Sequence, residues 1–283
     1  MTQSFKSENF MHVIQDRRFG DIESYTFGFG PMGPPLMSVS IYLINGVLID
    51  TAQSHMRKHV INILSQKRVR RILLTHHHED HSGNAAEIQR AFGAEVLGNS
   101  QTRQKMARAY RILPYQHLIW GRTEPVAVSP LPDVVETRRH RFRPIHTPGH
   151  SRDHTVYLEE KNGWLFSGDL YLGDRIKYFR SDERFGDQIA SIRRVLTFEF
   201  DALFCAHRPR PENGKMRLRQ KLAFLLDIHG KIGSLLEKGI SETEIVRRMD
   251  DRQDRFTKYL TMGNASKANM IRSSIRAHTQ KLE

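Results

Sequence analysis

The sequence predicts an α/β fold that ends in an all-helical extension. Three observations predict it. From about residue 38 to 207, short β-prone runs alternate with stretches of helical periodicity. Two Asn-Gly pairs, Asn45-Gly46 and Asn162-Gly163, split β-prone runs in the manner of hairpin turns. After Pro209 the β-prone runs stop and only helical periodicity remains. The expected division is a catalytic domain over residues 1–210 and a basic helical domain over 211–283.

Taken in order, FGFGPMGPP at 27–35 is dense in Gly and Pro and reads as a loop. SVSIYLINGVLIDT (38–51) is the first hairpin. HMRKHVINILSQ (55–66) carries apolar residues at helical spacing, and RRILLT (70–75) is a buried-type strand. GNAAEIQRAFG (83–93) is a helix stopped by Gly93, and AEVLGN (94–99) is a strand. Residues 100–118 read as helical and basic, and 126–146 as irregular or extended, with Pro130 and Pro132. RPIHTPGH (143–150) is a strand and a turn. HTVYLEE (154–160) and WLFSGD (164–169) form the second hairpin, SIRRVLTF (191–198) is helical, and DALFCAH (201–207) is a strand. Beyond the polar linker HRPRPENG, Ser241 and Glu244 have capping-box spacing and start a helix.

The chain has 283 residues, enough for a substantial core. No apolar run approaches the roughly 18 residues of a membrane span, and no membrane partner is expected. Residues 1–18 lack a continuous apolar segment of the secretory kind, and the one cysteine, Cys205, can form no intrachain disulfide. A cytoplasmic location is expected. The net charge is +13. Residues 212–283 hold 15 Lys/Arg against 9 Asp/Glu, a higher density of positive charge than the rest. Such a tail attracts anionic partners, nucleic acid included.

The densest chemistry is THHHEDHSGN at 75–84. Read as His76-x-His78-x-Asp80-His81, it follows a buried strand, so the chain turns and alternate residues converge on one point. Imidazole nitrogen and carboxylate oxygen suit Zn²⁺, and also Fe or Mn. His77 and Glu79 then point away, as outer or surface groups. Three more candidates end predicted strands: His150 in TPGHS, Asp169 in FSGDL and His207 in FCAHR. Seven ligands exceed one tetrahedral site and suit two metals that share a carboxylate.

With these residues in this order and at these rough spacings, the chain resembles the metallo-β-lactamase superfamily over about residues 20–210. The resemblance implies an αββα sandwich with two metal ions, two Zn²⁺, at its edge. His76, His78 and His150 would bind the first metal, and Asp80, His81 and His207 the second, with Asp169 bridging. Asp80 and Asp169 would serve catalysis by fixing the second metal. The chain departs from many relatives at Ala206-His207-Arg208, where a glycine is common.

The mechanism so implied is a hydrolase in which a metal-bridging hydroxide attacks an electrophilic carbon or phosphorus. The general plan is similar to glyoxalase II, which implies a small anionic or neutral ester-like substrate: a thioester, lactone or related acyl compound. TPGHSRDH, SGD and the basic tail are also similar to the β-lactamase-like protein 2 group, which implies cleavage of single-stranded RNA. An iron-redox or non-catalytic member of the fold is the remaining alternative. Candidate substrate contacts are Arg208, Lys177 and its neighbours Arg175 and Arg180 in LGDRIKYFR, and His154, which could instead orient a ligand. Met32 and Phe29 could wall the site. Glu79 is expected at the surface. Cys205 is expected in the core, as are Phe224, Phe256 and Tyr259.

Overall fold

The computed structural model describes residues 12–30, 33–250 and 254–279. Seven strands form the first sheet in sequence order: β1 (His12–Phe19), β2 (Ile22–Phe29), β3 (Ser38–Ile44), β4 (Val47–Ile49), β5 (Arg71–Leu73), β6 (Glu95–Gly98) and β7 (Ser129–Pro130). The chain continues through β8 (Val135–Glu136), β9 (Arg141–His146), β10 (Thr155–Glu159), β11 (Trp164–Gly168), β12 (Phe179–Arg180) and β13 (Ala202–Cys205). The second sheet has the order β13-β11-β10-β9-β8. The first sheet is antiparallel from β1 to β4 and parallel from β4 to β7. In the second sheet only β11 and β13 run parallel.

Between them run helices α1 (Arg57–Leu64), α2 (Glu79–Ser82), α3 (Ala85–Phe92), α4 (Ser100–Met106), α5 (Pro114–Ile119) and α6 (Phe185–Val195). After residue 210 come α7 (Gly214–Glu237), α8 (Glu242–Met249), α9 (Arg255–Leu260), the short strand β14 (Ala265–Ser266) and α10 (Lys267–Thr279).

The layering follows from which apolar faces meet. Ile44, Val47, Ile49, Leu73 and Leu97 of the first sheet pack on Phe142, Tyr157, Phe166 and Phe204 of the second. Phe166 and Phe204 stack at 5.2 Å between ring centroids. The far face of the first sheet packs against Val60, Leu64, Ile88 and Met106 of α1, α3 and α4. The far face of the second packs against α6, and the same hydrophobic cluster includes Leu218, Leu225 and Ile232 of α7, Ile245 of α8 and Ile271 and Ile275 of α10. This is the αββα sandwich, with the C-terminal helices joined to its second helical layer.

Both hairpins form as expected. Asn45 and Gly46 adopt φ of 49° and 87°, and pair Ile44 with Val47. This two-residue turn with both φ positive matches the strand twist. Ser241 caps α8 by accepting from the Glu244 backbone at 3.3 Å. The Glu244 carboxylate turns instead to Arg247 and Arg248.

Several expectations need correction. The Gly/Pro-rich loop begins later than residue 27, because β2 continues through Phe29 against β1. That first hairpin was illegible because HVIQDRRF has no clean apolar alternation. The helical stretch 100–118 is two helices, with Pro114 at the first turn of α5, where its missing N–H costs nothing. Phe256 and Tyr259 are not core: they are 69% and 89% exposed on α9, while Phe224 does pack against the core.

Candidate metal centre

The site lies where strand ends of the two sheets meet. His76–His81 follow β5, His150 follows β9, Asp169 follows β11 and His207 follows β13. Two glycines permit the close packing this needs. A Cβ on Gly83 would sit 2.5 Å from the Glu79 carbonyl oxygen and 2.7 Å from that of Ala52. Gly168 has φ of 45°, and a Cβ there would lie 2.8 Å from His154 Nε2.

All seven expected ligands converge. Their donor atoms form three overlapping groups, each with members within 4.8 Å of one another: His76, His78 and His150; His76, His81 and Asp169; and Asp80, His81 and His207. In the first group His78 Nδ1 lies 2.9 Å from His76 Nε2 and 3.0 Å from His150 Nε2. In the Asp80, His81 and His207 group, the second of the two that Asp169 links, His207 Nε2 is 3.4 Å from both Asp80 Oδ2 and Asp169 Oδ1, and His81 Nε2 is 3.3 Å from Asp169 Oδ1. Asp169 Oδ2 reaches back to His150 Nε2 at 3.2 Å. The shared carboxylate thus spans both groups.

Outer hydrogen bonds fix the ring directions of His76, His81 and His207. His81 Nδ1 donates to Asp50 Oδ2 at 2.7 Å, and His207 Nδ1 donates to the Ser38 carbonyl at 2.7 Å. Thr75 Oγ1 donates to Asp50 and so accepts from His76 Nδ1 at 3.0 Å. His150 Nδ1 faces Glu183 Oε2 at 3.4 Å. In the neutral form that binds a metal, these rings would aim lone pairs from His76 Nε2, His81 Nε2, His150 Nε2 and His207 Nε2 inward. His81 Nε2 and Asp169 Oδ1 are buried and make no hydrogen bond among the described residues. Inward lone pairs and unpaired buried oxygen are costly unless a cation joins them. The donor set therefore fits divalent metal ions.

The charge balance differs across the site. Burial pushes His76 and His78 well below the usual imidazole range, so both are neutral at pH 7. Burial also opposes charge on His81, but Asp169, Asp80 and Asp50 outweigh it and hold His81 well above that range. Burial alone would raise Asp169; His81, His207 and His150 outweigh it and keep it well below the carboxylate range.

His154 is fully buried behind Asp169. Its Nε2 accepts from the Asp169 backbone at 3.0 Å and its Nδ1 donates to Thr147 Oγ1 at 2.8 Å. These bonds orient the shared carboxylate and occupy both ring nitrogens. Burial, then the nearby His150, push its pKa down to about 3. Arg208 and Lys177 are exposed, as is Arg175, whereas Arg180 is partly enclosed. Phe29 packs its ring against His55 at 4.5 Å, and Met32 lies outside the described residues. Cys205 is buried, as expected, and its thiol donates to the Tyr171 carbonyl. Glu79 is not at the surface: it is 2% exposed, its carboxylate accepting from Gln116 Nε2 at 3.1 Å. The turn of α2 sends it under α5.

Three supporting residues escaped the sequence reading. Asp50 follows β4 as the ligands follow their strands, so the strand-end pattern was a signal for it. Asp153 binds the His77 backbone and ring, each at 2.9 Å, and ties the His76–His81 loop to the His150 loop. Its spacing three residues after His150 was the only hint. Glu183 had no signal, since its partner lies on another loop.

Residues 34–207 match the family described as Metallo-beta-lactamase superfamily. The chain belongs to the metallo-beta-lactamase superfamily. This superfamily chain is 27% identical over 201 residues to a beta-lactamase-like protein 2 homolog of Drosophila melanogaster, covering 64% of the chain and 62% of that protein. It is 33% identical over 104 residues to a hydroxyacylglutathione hydrolase of Bdellovibrio bacteriovorus, covering 36% of the chain and 34% of that protein. The matches thus span less than two thirds of either relative. Among solved structures, a beta-lactamase domain protein from Burkholderia ambifaria superposes with a TM-score of 0.67 at 18% identity, over 94% of this chain and 88% of that one. A metallo-beta-lactamase family protein from Thermus thermophilus gives 0.63 at 17%, over 96% and 94%. At such identities these structures share the fold.

Proposed function

We infer that the protein is a metal-dependent hydrolase with a binuclear centre, acting on a small ester-like substrate such as a thioester or lactone. One observation carries this reading: seven side chains from four strand ends aim their donor atoms at one buried point, with Asp169 shared between two groups. His76, His78 and His150 would hold one ion; Asp80, His81 and His207 the other; Asp169 would join both. The mixed nitrogen and oxygen donors suit zinc, with iron or manganese as the competing ions. Such ions, when bound, acidify water to near neutral pH and polarise a carbonyl oxygen.

The chain's own residues supply the setting. Asp80 and Asp169 bring negative charge and bind no substrate atom covalently. His154 and Gly168 hold the Asp169 backbone in place. Asp50 and Thr75 lock the rings of His81 and His76. The catalytic side chains come from residues 1–210, while residues 211–283 cover the site's flank. Support for a thioester-type substrate is the likeness to hydroxyacylglutathione hydrolases. The cytoplasm, rich in soluble acyl thioesters, is the proposed location. Among the described residues no helix is long and apolar enough to cross a membrane.

A second reading, cleavage of single-stranded RNA, is favoured by one feature: Phe256 and Tyr259 are exposed on a basic tail, where bases could stack. The test is elemental analysis of the purified protein, followed by hydrolysis assays on thioesters, lactones and single-stranded RNA at two salt concentrations. About two metal equivalents with salt-insensitive acyl hydrolysis support the first reading. RNA cleavage that falls steeply with salt supports the second. Absence of bound metal after reconstitution defeats both.

A further inference from the structure

One stretch of the chain carries charge that the metal centre does not use. Residues 96–123 hold Arg103, Lys105, Arg108, Arg111 and Arg122 and no Asp or Glu. All five cations are exposed. The carboxylates that bound the run are already engaged: Glu95 lies 3.8 Å from Arg71 Nε, and Glu124 lies 2.6 Å from Arg57 and 2.8 Å from Arg90. Among the described residues, the five cations of the run form no ion pair. A patch of one sign, unscreened by carboxylates of its own, attracts an anionic partner.

The patch borders a groove of about 710 Å³. One wall is the outer face of α4, where Ser100, Arg103, Gln104 and Ala107 recur at i, i+3, i+4 and i+7. The other wall is the extended segment that leads into β7, the last strand of the first sheet, with Pro125, Val126 and Val128. The walls are fixed to each other. The Val126 N–H donates to the Met106 carbonyl at 2.9 Å, and Arg103 Nε donates to the Val128 carbonyl at 3.0 Å. From behind, Thr102 Oγ1 on α4 donates to Asp153 Oδ2 at 2.9 Å, and the Asn99 side chain caps the helix. The groove therefore lies on the face of α4 opposite the bond to Asp153.

Two chemistries meet in this groove. Val126 and Val128 give it an apolar floor, and the bond from Arg103 Nε lays a guanidinium across it. Lys105 and Arg108 follow on the exposed side. No aromatic side chain lines the groove, so a single-stranded nucleic acid finds no stacking platform there. An extended peptide of alternating acidic and apolar residues does fit. Its side chains point to opposite faces in turn, so one row meets the floor and the other meets the cations.

We propose that this groove is a docking site for a partner protein, occupied by an extended acidic segment whose carboxylates meet Arg103, Lys105 and Arg108 while its apolar side chains rest on Val126 and Val128. The surface lies outside the metal centre, and the inference holds whichever substrate that centre cleaves. Because Thr102 of α4 also holds Asp153, the segment docks on the back of an element that supports the metal-binding loops.

The test uses the full-length, zinc-loaded protein and fluorescence anisotropy at physiological salt. The probe is a fluorescein-labelled octapeptide of alternating Glu and Val. A Lys-Val octapeptide and a single-stranded oligouridylate of equal length are the comparisons. The acidic peptide should bind and the basic one should not. Lys105→Glu combined with Arg108→Glu should weaken binding about tenfold or more, because two attractive charges become repulsive. Ala107→Trp, which fills the groove without altering charge, should weaken it by a similar factor. Arg139→Glu combined with Lys161→Glu makes the same change of charge on another exposed surface, and should leave affinity within about twofold. The charge pair and the tryptophan act independently, so either variant that keeps the wild-type Tm and metal content carries the test. Equal weakening by the control pair would reduce binding to net charge, and undiminished affinity in Ala107→Trp would remove the groove; either result overturns the proposal. Tighter binding of the oligouridylate, lost in the charge pair, would assign the surface to nucleic acid instead. No binding of the acidic peptide would overturn the proposal outright.

Discussion

The two histidine groups share one carboxylate and little else. His76, His78 and His150 form a group of imidazoles alone, and its first two members are kept neutral by burial. Asp80, His81 and His207 sit among carboxylates, and His81 and His207 are held above the usual imidazole range: burial opposes their charge, and Asp169 and Asp80 outweigh it. Their supports differ too. Asp50 and the Ser38 carbonyl, both from the first sheet, hold the second group. Glu183, fixed by a serine of the C-terminal helix, faces His150 in the first. One pocket thus contains a group with two imidazoles already free of protons and a group whose two imidazoles must exchange protons for metal.

The largest test of this contrast is Asp169→Ala, which removes the atom set common to both groups. Bound metal should fall from about two equivalents to one or fewer, and hydrolysis should drop by about 10³-fold or more, beyond what an outer partner contributes. Elemental analysis and initial rates would check it. Retention of both ions would break the picture of a shared carboxylate. The supports can then be separated. Asp50→Asn should weaken the second group's ion by about 10- to 100-fold and leave the first in place, whereas Glu183→Gln should weaken the first group by less, its contact being 3.4 Å long. Competition with a chromophoric chelator would read both constants.

Acid should sharpen the contrast further. In the ion-free protein the raised groups, His81, His207 and His150, hold protons that a metal must displace, while His76 and His78 hold none. As pH falls through the raised values, protons compete for the second group's two imidazoles and for only one in the first. Metal should therefore leave in two steps, the second-group ion at the higher pH. Metal retained after dialysis across pH 5 to 8 would show the steps. A single simultaneous loss would mean that the groups act as one.

The seven ligands were legible because each obeys a local rule: a buried strand ends and a donor follows. Asp50 obeys it as well and went unread, since a lone aspartate after VLI has no donor beside it. The supports Asp153 and Glu183 were illegible for another reason. Each works through a contact between loops far apart in sequence, such as Thr102 with Asp153 or Ser273 with Glu183. Glu79 shows the limit of the alternation rule: it turns away from the donors as expected, yet α5 lies over it, so away from the site is still inside the protein. Phe256 and Tyr259 fail in the opposite sense. Aromatic residues at helical spacing predict burial, but α9 is short and none of its residues is buried.

The smallest effect concerns Lys221, the point where α7 meets the shared carboxylate's loop. Lys221 is 1% exposed, and its ammonium donates to the carbonyl of Leu170, next to Asp169, at 2.6 Å. Burial pushes its pKa down to about 8 from 10.5, against the opposing pull of Glu183. The folded chain thus releases the proton more readily than the unfolded chain. The cost of burying the charge is full below pH 8, falls as pH rises toward 10.5, and is absent above it. A shift of this size corresponds to about 3 kcal/mol at most. Lys221→Met, of similar volume, removes the titrating group, so wild-type stability relative to the variant should climb between pH 8 and 10.5. Urea denaturation at pH 7.5, 9 and 10 would measure it. A stability gap constant across that range would mean that the lysine is not buried as a charge. The tail would then touch the Asp169 loop through packing alone, and the contrast between the two groups would owe nothing to α7.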